Sequence, residues 1–282
     1  MISYIVLAPS WVVGAVCGAV FGGLGALIFA VLSRLGVSTK RASLILPVAI
    51  GVGIVGGKHI GEIVQMQLLT PQIMGQILRS EGPELYDVIE TSFPADYASM
   101  TGQMSALLKS GAPENDVRMR AASIMAELRR KYAPMVGVAN DADQAALLDT
   151  QIGIYQALLE VDAKLCSDFA IKGASVFSDR PVEGLVQERL MAQAVALFRA
   201  AASGMKAPTQ RREAAEGDWT QVTMSMLAQG ATTSQLEAVG SMNEGSADLC
   251  PGLILMMKAI NGTDTEGAKA VRAQLLLMLV SG

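Results

Sequence analysis

Residues 148–170 read LDTQIGIYQALLEVDAKLCSDFA. Leu148, Ile152, Tyr155, Leu159, Ala163, Cys166 and Ala170 recur there every three or four positions. That step keeps side chains on one face of an α-helix, so the spacing predicts a helix over 148–170 with one apolar side. Leu190, Ala194, Leu197 and Ala201 repeat the pattern downstream. No run alternates apolar and polar residues as a half-buried strand would. Proline stands where new helices are expected to start, at Pro71, Pro83, Pro94, Pro113, Pro181 and Pro251, because its missing N–H costs nothing in a first turn. Thr70 before Pro71 is placed to cap. Residues 66–282 therefore read as all-α, with amphipathic helices packed in a helical-bundle-like array.

Two polar stretches interrupt this pattern. Residues 173–184 collect Gly, Ser, Asp and Pro, and residues 206–218 hold Pro208 and the pair Arg211 and Arg212. The second stretch suggests a body over 66–205, a linker over 206–217 and a tail over 218–282 packed on the body. The tail's apolar helices, near 249–260 and 268–280, need a surface to cover them. Leu275, Leu276, Leu277 and Met278 run together, which predicts burial on several sides.

The chain's front is different. Residues 1–65 carry four cations (Arg34, Lys40, Arg41, Lys58) and one anion (Glu62), which leaves 18 cations and 25 anions for the rest. No charge interrupts residues 11–33. At roughly 1.5 Å per residue that run reaches about 35 Å, enough for a hydrocarbon core of about 30 Å. Trp11 suits an interface. A second apolar run follows at about 42–63. Residues 1–10 hold no Lys or Arg, so the first run is expected to stay as an uncleaved span. Together the two runs predict a transmembrane hairpin over 1–65.

The loop 34–41 carries three cations, and the positive-inside rule places it in the cytoplasm. The N-terminus and the C-terminal domain then face the periplasm of a bacterial inner membrane. The bacterial source is read from the Ala-rich, Arg-over-Lys composition. Glycine returns every fourth residue in both spans, as Gly14, Gly18 and Gly22 and as Gly53, Gly57 and Gly61. Such stripes let helix backbones approach closely, within the hairpin, between copies or against partner helices. Lys58 and His59 lie late in the second span. They either snorkel to the interface or serve an intramembrane ionic role. Gly51, Gly53 and Gly56 match a dinucleotide fingerprint in form but lack the strand–helix–strand setting that gives it meaning.

Composition removes several function classes. His59 is the single histidine, so the soluble part has no Ser-His-Asp or Cys-His system and no usual zinc site. The acidic balance of that part argues against nucleic-acid binding. No cofactor or metal site is expected. Cys166 and Cys250, in an oxidising compartment, are expected to form a disulfide between body and tail. Cys17 reads as a small packing residue. A short echo, VDAKLC at 161–166 and GSADLC at 245–250, surrounds the paired cysteines.

The remaining features have plain readings. The methionine pairs (Met100 with Met104, Met224 with Met226, Met256 with Met257) read as core filling. Glu84 and Asp87 read as a solvated acidic face, and Asp141 and Asp143 as helix capping. The run from Arg129 to Lys131 reads as a helix end that complements its dipole. Asn261, Gly262 and Thr263 read as a turn closing a helix. The function expected is a non-enzymatic assembly, scaffold or accessory subunit of an inner-membrane complex. It would contact membrane protein partners or itself through the hairpin. The alternative is a homo-oligomeric pore or transport component built on the glycine stripes.

Overall fold

A computed structural model of the chain describes residues 69–177, 184–243 and 245–281. The expected hairpin lies outside the described residues. With it go both spans, the loop 34–41, Cys17, the glycines at 14, 18, 22, 53, 57 and 61, and Lys58 and His59. Among the described residues no helix is long and apolar enough to cross a membrane.

The regular structure described is helical throughout. In chain order the helices are α1 (Pro71–Glu81), α2 (Pro83–Ser92), α3 (Pro94–Lys109), α4 (Glu114–Gly137), α5 (Asp141–Val161) and α6 (Ala163–Lys172). A 3-10 turn (Gly173–Phe177) precedes α7 (Gly184–Lys206), α8 (Glu216–Ala228), α9 (Thr233–Ser241), α10 (Leu249–Asn261) and α11 (Glu266–Ser281). Proline opens α1, α2 and α3 as the sequence predicts, and Asn261 closes α10 with Gly262 as its cap. Pro251 is the third residue of α10 rather than its first, and Pro181 lies outside the described residues.

The chain divides into two compact units, Met1–Ser80 with Ala98–Ala121, and Glu81–Tyr97 with Ala122–Gly282. In the first, the Thr70 hydroxyl accepts from the Ile73 amide at 3.3 Å. The buried Ser105 hydroxyl donates to the Leu69 carbonyl at 2.7 Å, which ties the entry of α1 to α3. Met100, Thr101 and Met104 are buried on α3. Arg120 donates to Gln103.

The second unit is built on α5, which packs against α6, α7, α10 and α11. Leu147, Leu148, Ile154 and Leu158 are almost wholly excluded from solvent, as are Phe198 on α7, Met257 and Ile260 on α10 and Leu276 on α11. Each such side chain contributes about 1.5–3 kcal/mol by leaving water. Phe93 sits 4.1 Å from the Tyr132 ring and 5.8 Å from that of Phe198, which extends the core beneath α2.

Helices α4 and α7 cross where Gly204 replaces a side chain with nothing. A Cβ there would lie 2.0 Å from the Met135 carbonyl oxygen. Gly252 on α10 does the same against α9, where a Cβ would meet Val239 at 2.7 Å and the Gln235 carbonyl oxygen at 2.9 Å.

Three expectations need correction. The helix predicted over 148–170 is two helices, because Asp162 is extended at φ −165° and ψ 122°. Its carboxylate accepts the Lys164 amide at 2.7 Å and starts α6. The run from Arg129 to Lys131 does not end a helix. α4 continues through Pro134 to Gly137, because Tyr132, Ala133 and Val136 are buried and hold the last turns in place. The run from Leu275 to Met278 is buried on one side only: Leu275 and Leu276 face the core, while Leu277 and Met278 are 38% and 54% exposed.

Candidate functional site

The irregular stretch between α7 and α8 is fastened to the end of α4. A helix leaves its last carbonyls without partners, and here side chains from elsewhere supply them. The Thr209 amide donates to the Val138 carbonyl at 2.8 Å. The Arg211 side chain is nearly buried and donates to the carbonyls of Ala139 at 2.7 Å and Gly137 at 3.3 Å. Gln144, wholly buried, donates from Nε2 to Val136 at 2.8 Å and Gly137 at 3.0 Å. This strap lies over the α4 terminus like a seat belt.

Its anchor is Asp141. The sequence reading gave Asp141 and Asp143 a shared capping role, but the cap of α5 is Asn140, whose side chain accepts the Asp143 amide at 2.9 Å. Asp141 instead sits 2.9 Å from Arg211, 3.6 Å from Arg272 and 3.7 Å from Lys269. Burial pushes its carboxyl up, but the Arg211 hydrogen bond and the three nearby cations hold it, on balance, below the ordinary range.

Arg272 is buried and donates to Asn261 Oδ1 at 3.1 Å. Asn261 in turn donates to Asp149 at 2.6 Å and to the Ala145 carbonyl at 3.1 Å. Burial pulls the Arg272 guanidinium below its usual value. Lys269 also meets Asp264 at 3.0 Å and Glu266 at 3.2 Å. The cations are matched by carboxylates of the same unit, so this hub fastens helices together and offers no unpaired charge to an anion.

At the far end of the strap, Arg212 grips Asp218, with Nη2 to Oδ1 at 2.7 Å. Asp218 also accepts the Ala215 amide at 2.8 Å, which closes the first turn of α8. Hydrogen bonding to Arg212, then to the Ala215 amide, holds the Asp218 carboxyl down to about 2.

Between the strap, the end of α4 and α11 lies an open groove of about 500 Å³. Pro134 and Val138 form one wall, Arg211 and Ala214 another. The floor is α11, which contributes Ala270, Ala273, Gln274 and Leu277. Those four residues stand at i, i+3, i+4 and i+7, the register of a single helix face. Small residues at two of the positions let a second backbone come close.

Cys166 and Cys250 are joined as a disulfide, with Cα atoms 5.9 Å apart and both residues fully buried. It links α6 to α10. The Ser167 hydroxyl donates to the Ser246 carbonyl at 3.0 Å, so the two echoing stretches are also neighbours in space. The bond removes any thiol role for Cys250.

The other sequence candidates stand apart. Glu84 and Asp87 are exposed, and Glu84 lies 3.5 Å from Arg199. Met100, Met104, Met226 and Met257 are buried, whereas Met224 is 62% exposed. Among the described residues no group of His, Cys, Asp and Glu is arranged to hold a metal ion. Sequence reading missed the strap groove and the hub. The α11 register was visible in the sequence, but the walls that make it a groove come from distant residues, Pro134 and Val138 on one side and Arg211 and Ala214 on the other. No protein-family model, curated protein or solved structure matches the chain.

Proposed function

We propose that the chain is a membrane-anchored, periplasmic helical subunit of a bacterial inner-membrane complex, acting as a non-enzymatic scaffold or assembly factor. The hairpin read from residues 1–65 docks on membrane partners, and the strap groove receives a helix of a partner subunit. The observation that carries this reading is the open groove floored by Ala270, Ala273, Gln274 and Leu277. A helix-register floor with small residues fits an amphipathic helix laid along it. A fully buried disulfide suits an oxidising compartment outside the cytoplasm.

The test is the mass and composition of the particle extracted in mild detergent from native membranes. Other proteins are expected in fixed ratio with the wild-type chain. Leu277→Asp is expected to release at least one of them while far-ultraviolet circular dichroism stays unchanged. Retention of the same partners by that variant would refute the groove's role.

The glycine stripes favour a second reading, a homo-oligomeric pore or transport component. It predicts a particle made only of copies of this chain, with conductance altered by Lys58→Met.

A further inference from the structure

A second groove, of about 420 Å³, runs beside the first turn of α2 and along α7. Leu85 and Val195, both buried, form its floor, and Pro83, Met191 and Ala192 form its sides. The lining is mostly apolar, and Met191 leaves 38% of its surface in water.

The charged residues that line this groove are of one sign. Glu81, Glu84 and Glu188 line it, and no lysine or arginine does. All three carboxylates are exposed. Glu84 has Arg199 at 3.5 Å, while Glu81 and Glu188 have no ion-pair partner among the described residues. This differs from the strap groove, where Arg211 and Arg212 are already held by Asp141 and Asp218.

Carboxylates around a low-dielectric cleft focus a negative potential into it. Nucleic acid and anionic lipid headgroups are repelled by such a rim. A small cation alone would leave Leu85 and Val195 uncovered. The occupant must bring apolar surface and positive charge together, as a protein segment does. The surplus of anions over residues 66–282 steers the same class of partner from a distance.

We infer that this groove binds a cationic segment of a partner protein, with an apolar side chain seated over Leu85 and Val195 and flanking lysines or arginines meeting Glu81, Glu84 and Glu188. The segment's charges set its approach and orientation, and the apolar side chain supplies the anchor.

The test uses the full chain in nanodiscs of zwitterionic lipid, titrated into a short fluorescein-labelled leucine–lysine peptide and into its leucine–glutamate counterpart. Fluorescence anisotropy is read after subtraction of empty nanodiscs. The lysine peptide is expected to bind, and to weaken sharply near 1 M salt, where the screening length is about 3 Å. The glutamate peptide is expected not to bind. The double substitution Glu81→Lys with Glu188→Lys, at exposed positions, is expected to weaken the lysine peptide by roughly tenfold or more and to admit the glutamate peptide. Ala192→Trp fills the groove without changing charge and is expected to abolish binding of the lysine peptide. Circular dichroism confirms that each variant is folded, and neither change touches the strap groove. Wild-type protein that binds neither peptide, binds both alike, or keeps its affinity in the double variant overturns the inference.

Discussion

Replacing Gly204 with alanine tests the crossing of α4 and α7 with a single methyl group. In an open helix interior the change stabilises by about 1 kcal/mol, because alanine has less backbone freedom to lose. At Gly204 the added Cβ would lie 2.0 Å from the Met135 carbonyl oxygen, 2.9 Å from its carbonyl carbon and 3.2 Å from the Ala139 nitrogen. Non-bonded contact needs roughly 3.5 Å, so the oxygen is about 1.5 Å too near. All three atoms are backbone and cannot swing aside. The same turn is also held from outside by Gln144 and Arg211.

Overpacking of this kind costs about 1–3 kcal/mol, and an overlap with fixed atoms falls at or above the top of that range. After the propensity gain, Gly204→Ala should lose about 2 kcal/mol. For a unit of this size the melting temperature should fall by roughly 4–8 °C. Gly240→Ala is the matched control, since it lies in α9 with no atom within 4 Å of an added Cβ. It should gain up to about 1 kcal/mol. Both are read as thermal melts of the full chain by circular dichroism. Gly204→Ala melting at or above wild type would refute the close crossing of α4 and α7.

Three further outcomes are expected. Cysteines 84 positions apart close a loop whose loss, in Cys166→Ala with Cys250→Ala, should cost about 4–5 kcal/mol in the chain-entropy model. Denatured wild-type protein without reductant should label with maleimide at Cys17 alone; labelling of all three thiols would contradict the pairing. Asp218 titrates lower when folded than unfolded, so the folded state holds fewer protons. Its contribution is present above about pH 4 and is lost as the pH falls toward about 2. Urea midpoints measured across that window should fall less steeply for Asp218→Asn than for wild type. Arg211→Met removes the donor to Gly137, Ala139 and Asp141, so amide exchange at Thr209 should speed up well before global unfolding. An unchanged Thr209 rate would mean that the strap is held by something else.

Local signals were the legible ones. Pro71, Pro83 and Pro94 mark helix starts and Asn261 with Gly262 marks an end, because each acts within one turn of itself. The break at Asp162 was hidden because the apolar step from Leu159 to Ala163 to Cys166 passes straight across it. An extended residue there still leaves the next apolar side chain facing the core. Its own signal was an aspartate that can cap, two residues before Lys164. The cationic run from Arg129 to Lys131 misled for the opposite reason. It obeys the dipole rule for a helix end, but burial of Tyr132 and Val136 outweighs the proline that follows. Leu277 and Met278 show that an apolar run sets how much surface can be buried, not which side is covered. Asp141 looked like a capping acid, and only the fold brings Arg211, Lys269 and Arg272 to it. The grooves depend on such distant partners and were therefore invisible in the sequence.

The separation of the two paired cysteines also sets a clock on synthesis. At about 5–20 residues per second, Cys250 follows Cys166 out of the ribosome by roughly 4–17 s. During that interval Cys166 is a thiol without its mate, while α5, already complete, can begin to fold against it. The other cysteine of the sequence, Cys17, lies in the charge-free run that the proposed topology would place in lipid. A chain with three cysteines has three ways to pair two of them. Order of emergence, together with partition into the bilayer under the proposed topology, leaves one.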